Sequence, residues 1–130
     1  MKPQGLPRCH RIARRSDFLR AYEHGQRTPG RLAVLFALPT ESVGDDVPPP
    51  WRLGLTTTRK VGCAVERNRL RRRVREFFRR RGERWPEGWD FVVNLRRAAC
   101  EVSAEELNRE LIALLARRGI DSGDGSRGQV

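Results

Sequence analysis

The side chains of this sequence best equipped for chemistry are guanidinium groups. Twenty-five of its 27 basic residues are arginine, the other two being Lys2 and Lys60, and nine of the arginines fall in the sixteen residues 66–81, ERNRLRRRVREFFRRR. A guanidinium stays charged at any working pH and holds its N–H donors in a flat fork that matches phosphate oxygens. Only Glu66 and Glu76 offset the nine arginines. A merely solvated helix face mixes signs at i,i+4 spacing, because like charges there repel by a few tenths of a kcal/mol per pair. A run that tolerates this much repulsion fits a polyanion partner.

Bond-breaking chemistry finds no comparable set of residues. Cys9, Cys63 and Cys100 are odd in number, widely spaced and without a Cys-x-x-Cys pair. That excludes a disulfide framework and a zinc knuckle, and the thiols are expected reduced. His10 and His24 read as ordinary surface residues. There is no Ser/His/Asp set, no glycine-rich phosphate loop and no carboxylate cluster able to hold two metals about 4 Å apart. No catalytic group and no cofactor of the protein alone is expected.

Size and charge narrow the partner. The chain has 130 residues, a formal net charge of +11 and a pI near 11.3, with 38% hydrophobic residues and three Trp. That is one domain with one core rather than a disordered tail. A basic patch on a small folded domain is the usual footprint of nucleic-acid binding. No segment approaches the roughly 18 apolar residues of a membrane-spanning helix, and the basic N-terminus lacks the apolar stretch of a secretory signal. A cytoplasmic protein with no membrane partner is expected. DNA is the weaker nucleic-acid reading, because few polar residues other than arginine remain in the run to discriminate bases.

The elements that must position these groups follow from periodicity. Residues 1–15, without an apolar period, are expected as a flexible basic arm. A helix over 17–24 has Ser16 as N-cap, Asp17 in its first turn and Gly25 as the C′ stop, with Phe18 and Tyr22 on one face. Residues 32–38 are continuously apolar and end at Pro39, which predicts a strand covered on both sides; a short extra strand fits near 26–28. The acidic, proline-rich residues 40–50 are expected as a mobile hairpin connection. Residues 51–58 alternate Trp51, Leu53, Leu55 and Thr57 against Arg52, Gly54, Thr56 and Thr58, the pattern of a half-buried strand. The arginine helix follows Gly62 and ends near Gly82. Leu70, Val74, Phe77 and Phe78 are its apolar stripe, and Asn68, Arg72, Arg75 and Arg79 its opposite face. Trp85 and Trp89 read as lids over the core, flanking a loop before a strand over 90–96. Ser103 with Glu106 makes a capping box for a last helix carrying Leu107, Leu111, Leu114 and Leu115 and ending at Gly119. The order is α-β-β-α-β-α in a single domain over 16–119, with 120–130 a disordered tail.

Across the start of the arginine helix, Thr58-Arg59-Lys60-Val61-Gly62, Ala64-Val65 and Arg67-Asn68-Arg69-Leu70-Arg71-Arg72 closely resemble the signature of the protein component of bacterial ribonuclease P. The similarity runs from Arg11 to about Gly119. Arg15, Asp17, Phe18 and Gly25 resemble that family's first helix, and Gly54-Leu55-Thr56 the strand before the signature. The resemblance implies an α+β fold, a two-layer α/β sandwich like that of ribosomal-protein-like RNA-binding domains. Its βαβ crossover would be left-handed, against the usual rule for such units. It also implies an accessory subunit of an endoribonuclease, in which a large RNA carries the catalytic Mg2+ ions and removes the 5′ leader of precursor tRNA. By the same resemblance Arg67, Asn68, Arg69, Arg71, Arg72 and Arg75 face the catalytic RNA, and Phe18, Tyr22, Phe36, Thr56 and Thr58 form the leader cleft. Three features depart from the family pattern. Tyr22 and Phe36 stand where members often carry Phe and Tyr, Arg replaces Lys through most of the basic helix, and residues 40–50 are unusually rich in proline. The alternative is a ribosomal or general structured-RNA-binding protein of similar fold.

Overall fold

The protein is described from a computed structural model, in which residues 6–40, 50–82 and 85–120 are placed. Helix α1 spans Arg15–His24 and is followed by strands β1 (Gln26–Pro29), β2 (Ala33–Pro39) and β3 (Arg52–Thr56). Helix α2 (Ala64–Arg80), strand β4 (Trp89–Leu95) and helix α3 (Ala104–Arg117) complete the order, with short 3-10 turns at Arg8–His10 and Arg97–Glu101. The strands form one sheet in the order β1-β2-β4-β3. β2 pairs antiparallel with both β1 and β4, whereas β3 and β4 run parallel from Arg52↔Asp90 to Thr56↔Asn94. Parallel neighbours need a crossover connection, and α2 is that crossover.

The two central strands are apolar on both faces, so both faces must be covered. Ala33, Leu35, Ala37, Phe91, Val93 and Leu95 join the apolar stripes of α2 and α3 in the main core. Leu70, Val74, Phe77 and Phe78 are all buried, as are Leu107, Leu111, Leu114 and Leu115. Val34, Phe36, Leu38 and Val92 point the other way and pack with Ile12, Ala21, Phe18 and Tyr22. Helix α1 therefore adds a partial third layer to the two expected. Trp85 is buried, donates its indole N–H to the Phe78 carbonyl at 2.8 Å and stacks on the Phe78 ring at 4.7 Å between centroids. Trp51 donates likewise to the Gly82 carbonyl at 3.0 Å. Trp85 thus shares the Phe78 carbonyl with the Arg81 N–H, and Trp51 bonds a carbonyl just past the end of α2.

Several boundaries differ from the sequence expectation. Residues 6–14 are not a flexible arm: Leu6 and Ile12 are buried, Ile12 N–H donates to the Leu53 carbonyl at 3.0 Å, and Arg11 bridges Leu53 in parallel. This segment covers the outer edge of β3, which would otherwise expose unpaired backbone; two apolar residues without a period gave no sign of it. Helix α1 begins at Arg15 behind Arg14, and Ser16 lies inside its first turn rather than capping it. Gly25 ends α1 in an extended conformation rather than a left-handed one. Its need for glycine is contact, since a Cβ there would sit 2.5 Å from the Ala21 carbonyl oxygen. His10 is not a free surface residue but stacks on Trp51 at 4.0 Å and bonds the Trp51 carbonyl through Nδ1 at 2.7 Å. Ile120, placed in the tail by its sequence, is buried in the main core, and its N–H donates to the Leu115 carbonyl at 2.9 Å. The expectations for residues 1–5, for the mobility of 41–49 and for 121–130 lie outside the described residues, but the connection over 40–50 is not the expected hairpin, because β4 lies between β2 and β3 in the sheet.

Candidate nucleic-acid interface

The arginine helix is anchored at its start by an unusual cap. Cys63 is the N-cap residue, and its backbone N–H donates to Glu66 Oε1 at 3.0 Å, closing a capping box. That hydrogen bond, followed by the Cys63 side chain, holds the Glu66 carboxyl below its ordinary range, with Arg69 and Arg97 adding to the effect. Gly62 makes the turn-back possible, because a Cβ there would lie 2.4 Å from Glu66 Oε1. Arg67 donates to the Gly62 carbonyl at 3.0 Å. Arg71 donates to Asn68 Oδ1 at 2.5 Å and also to the Thr57 hydroxyl, which ties the helix to the end of β3.

The cationic face is narrower than the sequence wheel implies. Asn68, Arg69 and Arg72 are exposed, and neither arginine makes a salt bridge among the described residues. Arg75 is half-buried rather than outermost, and its pKa falls first through burial and then through repulsion from Arg11 and Arg71. Those three arginines therefore share one flank of α2. Arg79 and Arg80 both engage Glu76, at 2.5 and 2.9 Å, so their charge is partly balanced. Glu76 is correspondingly held below the usual carboxylate range, chiefly by the hydrogen bond from Arg79.

On the opposite face of the sheet α1 lays Phe18 and Tyr22 over the strands. Phe18 rests on Gly54, where a Cβ would come within 2.8 Å of its ring. Tyr22 meets Phe36 edge-on with centroids 5.0 Å apart. The Tyr22 hydroxyl donates to Asn94 Oδ1 at 3.1 Å and lies 3.0 Å from Thr56 Oγ1. Phe18, Tyr22 and Thr56 are half-buried, and Phe36 is 8% exposed. The structure thus brings Phe18, Tyr22, Phe36 and Thr56 together, with Phe36 as floor beneath Tyr22. Thr58 is exposed in the turn after β3, outside this group.

Two groups at this face gave no sequence signal as site residues. Asn94 is a lone polar residue inside an apolar strand, and only the register that sets it beside Thr56 reveals its use. Asp90 is fully buried, yet its carboxylate accepts from Arg52 Nε and Nη2 at 2.9 and 2.7 Å and from the Thr40 hydroxyl at 2.7 Å. Arg20 stands 3.5 Å from the same carboxylate, and Arg52 reaches Asp17 at 3.3 Å. Asp17 and Arg20 belong to α1, so this network pins the helix to the sheet. The Asp90 bonds, with Asp17 behind them, hold the Arg52 pKa above its already high ordinary value. Among the described residues no group of three or more His, Cys, Asp or Glu side chains is arranged to hold a metal ion, and no helix is long and apolar enough to cross a membrane.

An arginine-faced crossover helix joined to a sheet with an aromatic and hydroxyl-bearing surface is the form of an RNA-binding protein. The profile of the ribonuclease P family matches residues 6–119. The chain is 38% identical to the ribonuclease P protein component of Oleidesulfovibrio alaskensis, covering 89% of this chain and 97% of that one. It is 37% identical to that of Microcystis aeruginosa, covering 92% and 98%. The solved ribonuclease P protein of Thermotoga maritima superposes with a TM-score of 0.69 at 32% identity over 82% of this chain and 96% of that one. The Staphylococcus aureus protein gives 0.75 at 25% identity over 85% and 96%. The chain belongs to the ribonuclease P protein family. It is a protein subunit of ribonuclease P and acts in tRNA processing.

Proposed function

We propose that this subunit works in the cytoplasm by holding two RNAs at once: the catalytic RNA on α2 and the 5′ leader of precursor tRNA on the α1 face of the sheet. Arg67, Asn68, Arg69, Arg71, Arg72 and Arg75 supply the grip on the catalytic RNA. Exposed Arg69 and Arg72 meet phosphates as free charges, whereas Arg67 and Arg71 are already oriented by bonds to Gly62 and to Asn68 and Thr57. The protein contributes no catalytic group and no cofactor of its own; Mg2+ enters through the RNA, which carries out the cleavage.

The observation that carries the leader assignment is the half-exposed pair Phe18 and Tyr22 above a floor of Gly54, Phe36 and Thr56. Single-stranded RNA binds such surfaces by laying its bases on aromatic rings, worth about 1–3 kcal/mol per base and tolerant of sequence. Thr58, exposed in the turn from β3 to the arginine helix, would meet the leader outside this group. The test is the ratio of precursor to mature tRNA affinity in the reconstituted holoenzyme. Phe18→Ala should lower precursor affinity roughly tenfold or more and leave mature tRNA binding nearly unchanged. If the ring serves only the core, the variant loses stability and all substrates suffer alike. A folded variant with an unmoved ratio removes the leader from this face.

A further inference from the structure

Two of the three cysteines, far apart in the chain, meet around one turn of the fold. Cys63 is the exposed N-cap of α2, and its side chain joins its backbone N–H in the capping box with Glu66. Cys100, in the 3-10 turn Arg97–Glu101, is partly exposed and donates its thiol to the Val61 carbonyl at 3.1 Å. Val61 is buried and stands two residues before Cys63, in the connection from β3 to α2. The 3-10 turn packs against α2, and Glu66 acts on both cysteines. Its carboxylate accepts from the Cys63 N–H at 3.0 Å, and after burial its charge is the next cause that pushes the Cys100 thiol up. Cys63 itself adds to that push, so the two thiols lie within electrostatic reach of one another. Cys9 is exposed on the separate turn Arg8–His10.

We infer that Cys63 and Cys100 are a redox modification site, a thiol pair that a low-molecular-weight disulfide of the glutathione type closes into a Cys63–Cys100 bond, weakening the grip of α2 on RNA. The chemistry balances in two exchanges. The Cys63 thiolate attacks one sulfur of oxidised glutathione, which releases one glutathione thiolate and leaves a mixed disulfide on Cys63. The Cys100 thiolate then attacks the Cys63 sulfur and expels the second glutathione. Together the two cysteines lose two electrons and two protons, and the oxidised glutathione takes them up as two thiols. Exposure sets the order, since Cys63 is open to solvent while Cys100 is shielded and suits the second, resolving step. In a reducing compartment the pair rests as thiols, and a disulfide there is transient and sensing rather than structural. Closure needs the two Cβ atoms about 3.8 Å apart, so it draws the 3-10 turn and the first turn of α2 together. It also costs Cys100 its bond to Val61 and takes the Cys63 side chain out of the cap. Arg67, tied to the Gly62 carbonyl, and its neighbours Asn68 and Arg69 stand next to that cap and are displaced first. The effect on binding rests on α2 being the surface for the catalytic RNA.

The experiment uses the full chain, first fully reduced and then treated with oxidised glutathione. Peptide mass spectrometry without reduction should show Cys63 linked to Cys100, and dithiothreitol should reverse the link. The oxidised protein should bind its cognate catalytic RNA roughly tenfold more weakly than the reduced protein, the scale of one lost charge-assisted contact. Serine at position 63 can still cap a helix, and serine at position 100 can still donate to the Val61 carbonyl. Cys63→Ser and Cys100→Ser should therefore each bind RNA as the reduced wild type does and lose the response to the oxidant. Either variant decides the matter if the other does not fold. Cys9→Ser should respond like the wild type. Glutathione left on Cys63 or Cys9 with no internal link, bonds formed only between chains, or an affinity that does not move once the link has formed would overturn the inference. Arg69→Ala separates it from the reading it rests on. If that variant weakens RNA binding and the Cys63–Cys100 link does not, only the thiol switch falls; if neither weakens it, the RNA surface on α2 falls as well.

Discussion

Asp90→Ala is the substitution that most directly tests how α1 is held. The carboxylate is fully buried and accepts three hydrogen bonds between 2.7 and 2.9 Å, two from Arg52 and one from Thr40. Removing one partner of a buried ion pair costs about 3–5 kcal/mol, because the other charge is left uncompensated. Here the Arg52 and Arg20 side chains retain 24% and 25% exposure and can draw water, which places the loss near the lower end, about 3 kcal/mol. For a domain of this size that corresponds to a fall in Tm of roughly 9–15 °C. Denaturant titration of the isolated protein gives the first number and calorimetry the second. A double substitution, Asp90→Leu with Arg52→Met, replaces the pair by apolar groups and should regain much of the loss. The two single substitutions would then be strongly non-additive. Since Asp17 and Arg20 on α1 share this network, Asp90→Ala should also lower the precursor-to-mature affinity ratio at temperatures where the variant is folded. A loss below about 1 kcal/mol, the scale of an exposed pair, or additive single substitutions would refute the buried lock.

Two further outcomes follow from the arginine helix. Arg69→Ala and Arg72→Ala should each weaken binding to the catalytic RNA and flatten the dependence of log affinity on log salt by roughly 0.7–0.9, with circular dichroism unchanged; an unaltered slope in the double variant would remove these residues from the phosphates. The Glu66 carboxyl has a folded pKa below its ordinary 4.5, so its capping bond stabilises α2 fully above that value and is lost as pH falls through the lower folded pKa. The Tm gap between wild type and Glu66→Ala should therefore narrow on acidification, and a gap independent of pH would mean that the carboxylate does not cap the helix.

The elements with a clear period were legible in the sequence: the stripes of α2 and α3, the doubly covered β2 and the arginine run all stand where the pattern puts them. What the pattern did not reveal depends on partners distant in the chain. Leu6 and Ile12 look like stray apolar residues until β3 is seen to need an edge cover. Asp90 reads as a polar strand start, and its burial makes sense only once Arg52, from the parallel neighbour, is set opposite it. Arg75 sits on the outer face of an idealised wheel, yet it is half-buried and near enough to Arg11, a residue 64 positions earlier, to be repelled by its charge. Phe36 shows the same limit from the other side, since a strand apolar on both faces does not say which ring is floor and which is surface.

The short connection from β3 to α2 has a mechanical consequence. Thr56 ends β3 at the Tyr22 hydroxyl, Thr57 receives the Arg71 guanidinium, and α2 begins at Ala64. Successive strand residues point to opposite faces of a sheet, so Thr56 turns toward the α1 surface and Thr57 toward the helix. The proposed leader floor and the proposed grip on the catalytic RNA thus meet at adjacent residues, the last of β3 and the one that follows it. Val61 N–H bonded to the Thr58 carbonyl and the Glu66 capping bond tighten the turn that follows. A force on Arg71 from a bound phosphate is transmitted to Thr57 directly and to Thr56 through one peptide unit. On the proposed function, docking of α2 on the catalytic RNA would fix where the proposed leader surface lies relative to that RNA.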